Sequence, residues 1–187
     1  MELVIRPVTP TRWTDLTELA GERGFQSGCW CMWWRLSSKD FQARDAGERR
    51  ERLRSLVASG TTPGLLAYLN GSPVGWIAVA PRSEYPRLER STKLYPVDDA
   101  PAWAISCFYV HRAHRRQGIT EALVDAAVDH AAAQGAEQVE AYPIDTGGAA
   151  RASADLFTGT LATFLAAGFT EVARRGGRPI VRKQLSP

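Results

Sequence analysis

Few of the features that mark secreted, membrane-embedded or disulfide-stabilised proteins occur in this 187-residue sequence. It has only three cysteines, an odd number, which argues against a disulfide framework and predicts reduced thiols. No apolar run approaches the roughly 20 residues that cross a bilayer. The N-terminal residues lack the basic region and the long apolar region of a signal peptide. These absences predict a cytoplasmic protein with no membrane association.

A strong charge bias is also missing. The net charge is only +3, and the arginines are scattered rather than arranged in a basic stripe interleaved with aromatic residues. This distribution predicts no nucleic-acid partner. Cys29 and Cys31 are close in sequence, but a tetrahedral zinc site needs about four ligands. Neither Cys107 nor the three histidines stand at zinc-like spacing from this pair, so no metal site is predicted.

The sequence does contain a regular series of short apolar segments. Its length fits a single domain, 1–187, at the usual scale of roughly 100–200 residues per domain. Periodicity predicts strands at 3–8, 65–69, 74–79, 103–110, 138–142, 169–173 and 180–184. It predicts helices at 11–21, 39–58, 118–134 and 155–167. This mixed order predicts an α/β or α+β layered domain.

The sharpest functional signal is the loop between the predicted strand 103–110 and the following helix. Its residues, Arg115–Thr120, read RRQGIT. A helix N-terminus presents unpaired backbone N–H groups and the positive end of a dipole, which together bind phosphate or pyrophosphate. Gly118 lets the backbone approach such an anion, and Arg115 and Arg116 place cations beside it. A charged helix start with a convenient glycine is the simpler alternative.

This loop resembles the central motif of the GNAT superfamily of N-acyltransferases, usually written Arg/Gln-x-x-Gly-x-Gly/Ala. Ile5–Thr9 resembles the opening strand of that family, and Ala166–Phe169 resembles its late helix-to-strand turn. The resemblance covers about residues 2–184, with variable regions at 24–60 and 81–101. It implies a mixed, mostly antiparallel central sheet that is splayed at the fourth and fifth strands and flanked by about four helices.

By the same resemblance, the loop binds the pyrophosphate of acetyl-CoA, which acts as the acyl donor. Backbone N–H groups at Arg116, Gln117, Gly118 and Thr120 would contact the pyrophosphate, with Arg115 and Ile119 in the same loop. The strand residues Phe108, Tyr109 and Val110 would lie along the pantetheine arm, and Thr158 and Phe164 would contact the cofactor from the late helix.

The sequence departs from the family pattern at three places. Thr120 stands where most members have Gly or Ala, and its hydroxyl could contact a phosphate. Phe164 stands four residues before Gly168, where many members carry a tyrosine that protonates the departing thiolate. A phenylalanine cannot donate that proton. Ser106 and Cys107 stand where some members place a carboxylate base.

Other residues could take the place of the missing acid and base, and each has a structural alternative. Tyr142 could protonate the thiolate, or it could be a half-buried aromatic residue. Cys107 could place a thiol near the acyl group, or it could be a small buried strand residue. Glu84, Asp98 and Asp99 could accept the amine proton through water, or they could be solvated loop charges.

The aromatic segment 28–35, GCWCMWWR, has two interpretations. Its large side chains either pack the core or line the pocket of the acceptor; they are Trp30, Met32, Trp33 and Trp34. His111 and His114 either contact the anion or are exposed to solvent.

The predicted function is transfer of an acetyl group from acetyl-CoA to a primary amine of a small molecule or peptide, by direct attack in a ternary complex. The alternative is a non-catalytic CoA-binding or interaction module that has kept the fold. The sequence leaves the acceptor undefined and a homodimer open.

Overall fold

A computed structural model describes residues 2–185, except the side chain of Ser153. Residues 1, 186 and 187 of the predicted 1–187 domain lie outside the described part. Seven strands form one sheet in the order β1-β2-β3-β4-β5-β7-β6. They are β1 Leu3–Pro7, β2 Gly64–Leu69, β3 Ser72–Pro81, β4 Trp103–Val110, β5 Gln138–Ala141, β6 Thr170–Arg175 and β7 Arg178–Gln184.

All neighbouring strands are antiparallel except β4 and β5, which run parallel. Those two strands pair only over Trp103–Ile105, and the remainder of β4 pairs with β3 alone. A β-bulge at Ser106 accompanies this separation, since Ile105 pairs with Val79 and Cys107 pairs with Ala78. A bulge bends a strand and increases its twist. The sheet is thus splayed between its fourth and fifth strands, as the family resemblance implies.

The described residues form six α-helices: α1 Trp13–Ala20, α2 Ser38–Gln42, α3 Ala46–Ala58, α4 Pro86–Glu89, α5 Ile119–Ala133 and α6 Leu161–Ala166. None of these helices has the length and apolar character needed to cross a membrane. The mixed, mostly antiparallel fold predicted from the sequence is confirmed, and the strands predicted at 65–69 and 74–79 form the hairpin of β2 and β3.

Two helix predictions were wrong in extent. The predicted helix 39–58 is divided into α2 and α3, because Asp45 accepts a hydrogen bond from the Glu48 N–H and begins a new helix there. Ser37 caps α2, because its side chain accepts a hydrogen bond from the Asp40 N–H. The predicted helix 155–167 is reduced to α6, whose cap is Thr160. A 3₁₀ turn, Ser153–Leu156, replaces its first part.

The variable region 81–101, for which the sequence predicted no helix or strand, contains α4 and a 3₁₀ turn at Arg82–Glu84. Pro86 begins α4, where its missing N–H costs no helical hydrogen bond.

Alternate residues of β2 and β3 point into separate apolar clusters on the two faces of the sheet. Leu65 and Ile77 pack with α5 on one face. Leu66 and Trp76 pack on the other face, with α1, α3 and the aromatic segment. Burial of both faces explains why these strands are apolar at nearly every position. The opening between β4 and β5 lies between these two layers of helices.

Candidate functional site

The loop before α5 has a backbone suited to binding an anion. Arg116 and Gly118 both adopt left-handed conformations, with φ of 60° and 75°. Gly118 is the N-cap residue of α5, and no side chain caps the first N–H groups of the helix. Those N–H groups are therefore available to an external acceptor. The loop surrounds a depression of about 290 Å³, lined by Val110, His114, Arg115, Arg116, Gly118, Ile119, Thr120 and Glu121.

A larger cleft of about 780 Å³ adjoins this depression and shares Val110, Arg115, Thr120 and Glu121 with it. The Nε of Arg115 donates to the Val110 carbonyl oxygen at 3.2 Å, which fixes the loop to the end of β4. The rest of the cleft is lined by Phe25, Gln26, Ser27, Cys29, Cys31, Trp33, Trp34, Phe41, Cys107, Phe108, Tyr109, Ala154, Leu156, Phe157, Gly159, Thr160 and Thr163. The cleft therefore combines three parts: the anion loop (Arg115–Thr120), the exposed end of β4, and an aromatic wall that includes Phe25, Trp33, Trp34 and Phe41.

The open edge of β4 is partly covered by the segment that precedes α6. The Phe108 N–H donates to the Phe157 carbonyl oxygen at 2.6 Å. A bridge between Ile144 and Thr160 holds the same segment beside the end of β5. Residues two apart on a strand direct their N–H groups to the same side, so the Val110 N–H also faces this opening.

The far end of the cleft is aromatic. Trp34 is anchored there, because its Nε1 donates to the Ser106 carbonyl oxygen at the bulge, at 3.0 Å. Trp33 is 40% exposed and meets Phe41 edge to face, with ring centroids 5.1 Å apart. Tyr109 and Phe25, which also line the cleft, are in similar contact, at 5.3 Å.

Three thiols line the wall of the same cleft. The Sγ atoms of Cys31 and Cys107 are 3.8 Å apart, and Trp76 Nε1 lies 2.9 Å from the Cys31 Sγ. The hydrogen bond with Cys107 raises the pKa of Cys31, and the hydrogen bond with Cys31, together with burial, raises the pKa of Cys29. Cys29 and Cys31 are therefore neutral thiols near pH 7. Within the described residues, no group of His, Cys, Asp and Glu side chains is arranged to hold a metal ion.

The structure places most of the predicted cofactor residues at these two cavities. Phe108, Tyr109, Val110, Arg115 and Thr120 line the large cleft, and Arg116, Gly118 and Ile119 line the small depression. Gln117 is exposed between Arg116 and Gly118.

Thr158 and Phe164 do not line either cavity. Thr158 is buried and its hydroxyl accepts a hydrogen bond from Arg178, while Phe164 packs between Phe108 and Phe169. Because α6 is shorter than predicted, different residues face the opening. Gly159, Thr160 and Thr163 line it in place of Thr158 and Phe164.

Tyr142 also lies outside the cleft. Its side chain is only 1% exposed, and its hydroxyl donates to a Glu140 carboxylate oxygen at 3.0 Å. Burial, followed by the neighbouring Glu140 charge, raises the pKa of Tyr142 well above its usual range. The same carboxylate binds Arg82 and Arg182. This geometry supports the structural interpretation of Tyr142, because the residue does not line the cleft.

Two of the candidate loop carboxylates are already paired. Glu84 binds Arg35, and Asp98 binds Arg182 at 2.6 Å. Arg182 lowers the pKa of Asp98, which disfavours proton uptake there near neutral pH. Neither of these carboxylates, nor Asp99, lines the cleft.

Sequence reasoning missed several residues of the cleft. Phe25, Ser27, Phe41 and Phe157 were not predicted to be there, although all four line it. Phe25 and Ser27 adopt left-handed backbone conformations, which cost energy in residues other than glycine and often occur at functional sites. No local sequence pattern signals this, because tertiary contacts impose the conformation. Of the aromatic segment, Trp33 and Trp34 line the cleft, whereas Trp30 and Met32 pack in the core.

Comparison with known proteins agrees with this geometry. The sequence profile of the acetyltransferase (GNAT) family matches residues 29–157. No curated protein sequence matches the chain significantly.

Solved structures share the fold at low sequence identity. The PaiA N-acetyltransferase of Thermoplasma acidophilum, in complex with coenzyme A, superposes with a TM-score of 0.56 at 14% identity, covering 99% of this chain and 100% of its own. A GNAT acetyltransferase of Listeria monocytogenes has a TM-score of 0.59 at 12% identity, with 99% and 96% covered. The ribosomal-protein-alanine N-acetyltransferase of Brucella melitensis gives 0.55 at 18% identity, with 97% and 99% covered.

The family profile spans more than half of the sequence, and the splayed sheet has the fold of these acetyltransferases. The chain therefore belongs to the GNAT acetyltransferase family.

Proposed function

We propose that this protein is an N-acetyltransferase that transfers an acetyl group from acetyl-CoA to a primary amine of a small molecule or peptide. The observation that carries the proposal is the continuity of the two cavities. Arg115 and Thr120 belong to both, so one ligand could bind the anion loop and extend along β4 to the aromatic wall. An acyl-CoA has this form, with a pyrophosphate, an extended arm and a reactive thioester end.

The pyrophosphate would bind the uncapped N-terminus of α5. Backbone N–H groups of Arg116, Gln117, Gly118 and Thr120 would contact it, with the Arg115 guanidinium beside it. Ile119 is 3% exposed and anchors the helix start in the core, which keeps these N–H groups in place.

The pantetheine arm would lie along Phe108, Tyr109 and Val110, whose open edge faces the separation of β4 from β5. Thr158 and Phe164 would support this surface without lining the channel. Phe164 supports the ring of Phe108, with centroids 5.8 Å apart, so it shapes the channel without lining it.

The reaction would be a direct attack in a ternary complex. The neutral amine attacks the thioester carbonyl, a carbon–nitrogen bond forms, and the carbon–sulfur bond breaks to release CoA as a thiolate. The proton lost by the nitrogen passes to that thiolate, directly or through water. The backbone N–H of Val110 is the proposed donor to the developing oxyanion. Cys107 remains a proposed thiol contact for the acyl group, since it lines the cleft beside the bulge.

Release of free thiol from acetyl-CoA tests this function over a panel of primary amines. Amine-dependent release, with the acetylated amine identified by mass spectrometry, is the expected result. Calorimetry with CoA alone measures cofactor binding separately. CoA binding without release for any amine would contradict catalysis.

That outcome would support a second candidate, a non-catalytic CoA-binding module. One observation favours it: among the described residues that line the cleft, Glu121 alone carries a carboxylate, and it lies beside the anion loop. A general base is therefore not evident near the aromatic end, and Phe164 cannot replace the tyrosine acid of many relatives.

A further inference from the structure

None of the described residues that line the aromatic end of the cleft carries a charge. Phe25, Cys31, Trp33, Trp34 and Phe41 supply apolar rings and a thiol with a raised pKa. Among the described residues of the whole cleft, the only charged side chains are Arg115 and Glu121, and both lie at the start of α5. Burying a charge without a partner is unfavourable, so a second charge on the acceptor would have no counterion at this end.

Two rings of this wall are stacked against arginine side chains. The Arg87 guanidinium is 3.9 Å from the centre of the Trp33 ring, and Arg49 is 3.8 Å from the centre of the Phe41 ring. Neither arginine lines the cleft, so both guanidinium groups lie outside its surface.

Backbone carbonyl groups hold both guanidinium groups in place. Arg49 donates to Gly28 and Phe41, and Arg87 donates to Leu36. Fixed aromatic surfaces of this kind bind a flat apolar group with little loss of side-chain freedom. The two nearby positive charges additionally disfavour polycationic acceptors.

We propose that the acceptor is a hydrophobic amine: one primary amine carried on a flat, uncharged aromatic body that packs against Trp33 and Phe41. This inference rests on the proposed acetyltransferase function and makes these two rings determinants of specificity. An apolar environment also favours the neutral form of the amine, which is the nucleophile.

The experiment compares three amines under identical conditions: 2-phenylethylamine, 1,4-diaminobutane and the amino acid β-alanine. The expected result is a kcat/KM at least tenfold higher for 2-phenylethylamine than for either of the others. An equal or higher value for the diamine or for β-alanine would overturn the inference and leave the acetyltransferase function intact.

A substitution tests the role of the wall. Trp33→Ala is expected to raise KM for 2-phenylethylamine several-fold and to leave the Kd for CoA unchanged. Tyr95→Ala is the matched control, because Tyr95 is likewise exposed and stacked by an arginine, at 3.5 Å, but lies outside the cleft. Equal KM values in wild type and Trp33→Ala would also overturn the proposal.

If no amine is acetylated, the proposed function is contradicted, but the aromatic-amine site can still be tested by measuring amine binding. Calorimetry then measures 2-phenylethylamine with the CoA-loaded protein. Binding that is weakened by Trp33→Ala, but not by Tyr95→Ala, would support the aromatic-amine site. Failure of 2-phenylethylamine to bind would refute it.

Discussion

The Phe108 N–H and the Phe157 carbonyl oxygen are 2.6 Å apart, joined across the opening between β4 and β5. This bond places the segment before α6 against the strand edge that the pantetheine arm is proposed to use. The Phe108 N–H, on the exposed edge of β4, is therefore already hydrogen-bonded to the protein's own backbone. A ligand that pairs with this edge has to move Phe157 or lie over it.

We predict that CoA changes the protection of this segment. If pantetheine pairs with β4, the Phe157 carbonyl oxygen loses its donor, the Phe108 N–H. The segment 153–159 is then no longer anchored to β4, and its amide hydrogens should exchange faster. Hydrogen exchange followed by mass spectrometry, with and without saturating CoA, measures this effect. The C-terminal half of α5 serves as an internal reference. Unchanged exchange at 153–159 would contradict displacement of this segment by CoA.

Gly118 offers a test of the anion loop. Gly118→Ala forces a Cβ into a left-handed conformation and disturbs the N–H groups at the start of α5, so CoA binding should weaken at least tenfold. Gly135→Ala is the matched control. Gly135 also has a positive φ, 83°, next to the other end of α5, and an added Cβ would meet no atom within 4 Å at either position.

Both glycine substitutions should lower the free energy of unfolding by about 1–2 kcal/mol, because both place a non-glycine residue in the left-handed region. Only Gly118→Ala should affect CoA. Calorimetric titration and urea unfolding separate the two effects. Similar CoA affinities for the two variants would refute the assignment of the loop.

Glu140 is expected to be a major contributor to stability. Its side chain is 1% exposed and binds Arg82 and Arg182, so Glu140→Gln leaves two largely buried guanidinium groups without their shared anion. Breaking a buried ion pair in this way costs about 3–5 kcal/mol. Glu171→Gln, which breaks an exposed pair with Arg174, should change stability little. Urea denaturation of both variants measures the difference, and equal stabilities would contradict the prediction.

Tyr142→Phe should leave turnover nearly unchanged. The hydroxyl is buried against the Glu140 carboxylate, away from the cleft, so its loss removes a hydrogen bond worth about 1.5–3 kcal/mol of stability but no proton donor. Loss of a true general acid would lower kcat by a factor of about 10²–10⁴. Steady-state kinetics decide between these outcomes. A large fall in kcat with a normal KM and a normal melting temperature would restore Tyr142 as the catalytic acid.

Thiol reactivity should be low at neutral pH. An ordinary thiol has a pKa of about 8.5 and begins to ionise at pH 7–8. Because the pKa values of Cys29 and Cys31 are raised, both remain protonated at that pH. Alkylation by iodoacetamide should therefore be slow at pH 7–8 and should accelerate only at higher pH. Mass spectrometry follows each site, and the chain unfolded in urea gives the reference rate. Equal rates in folded and unfolded protein at pH 7 would contradict the assignment.

Local patterns in the sequence were sufficient to predict the main strands and the helix α5 of this protein. The alternation in β2 and β3, the helical spacing of α5 and the glycine between β4 and α5 each depend on residues close together in the chain. They predicted the strand–loop–helix unit at 103–133 and, by family resemblance, the splayed sheet. The structure confirms this architecture, and the family match confirms the resemblance.

Only the tertiary structure decided which side chains meet in the cleft. Phe25, Phe41 and Phe157 come from three separate segments, and their convergence depends on the packing of both helical layers against the sheet. The surroundings of Phe164 and Tyr142 were also decided by the tertiary structure, because their burial depends on where α6 begins and on the ion pairs of Glu140. The sequence by itself determined the fold and predicted an anion-binding loop before α5. The aromatic wall of the cleft exists only because folding brings distant residues together.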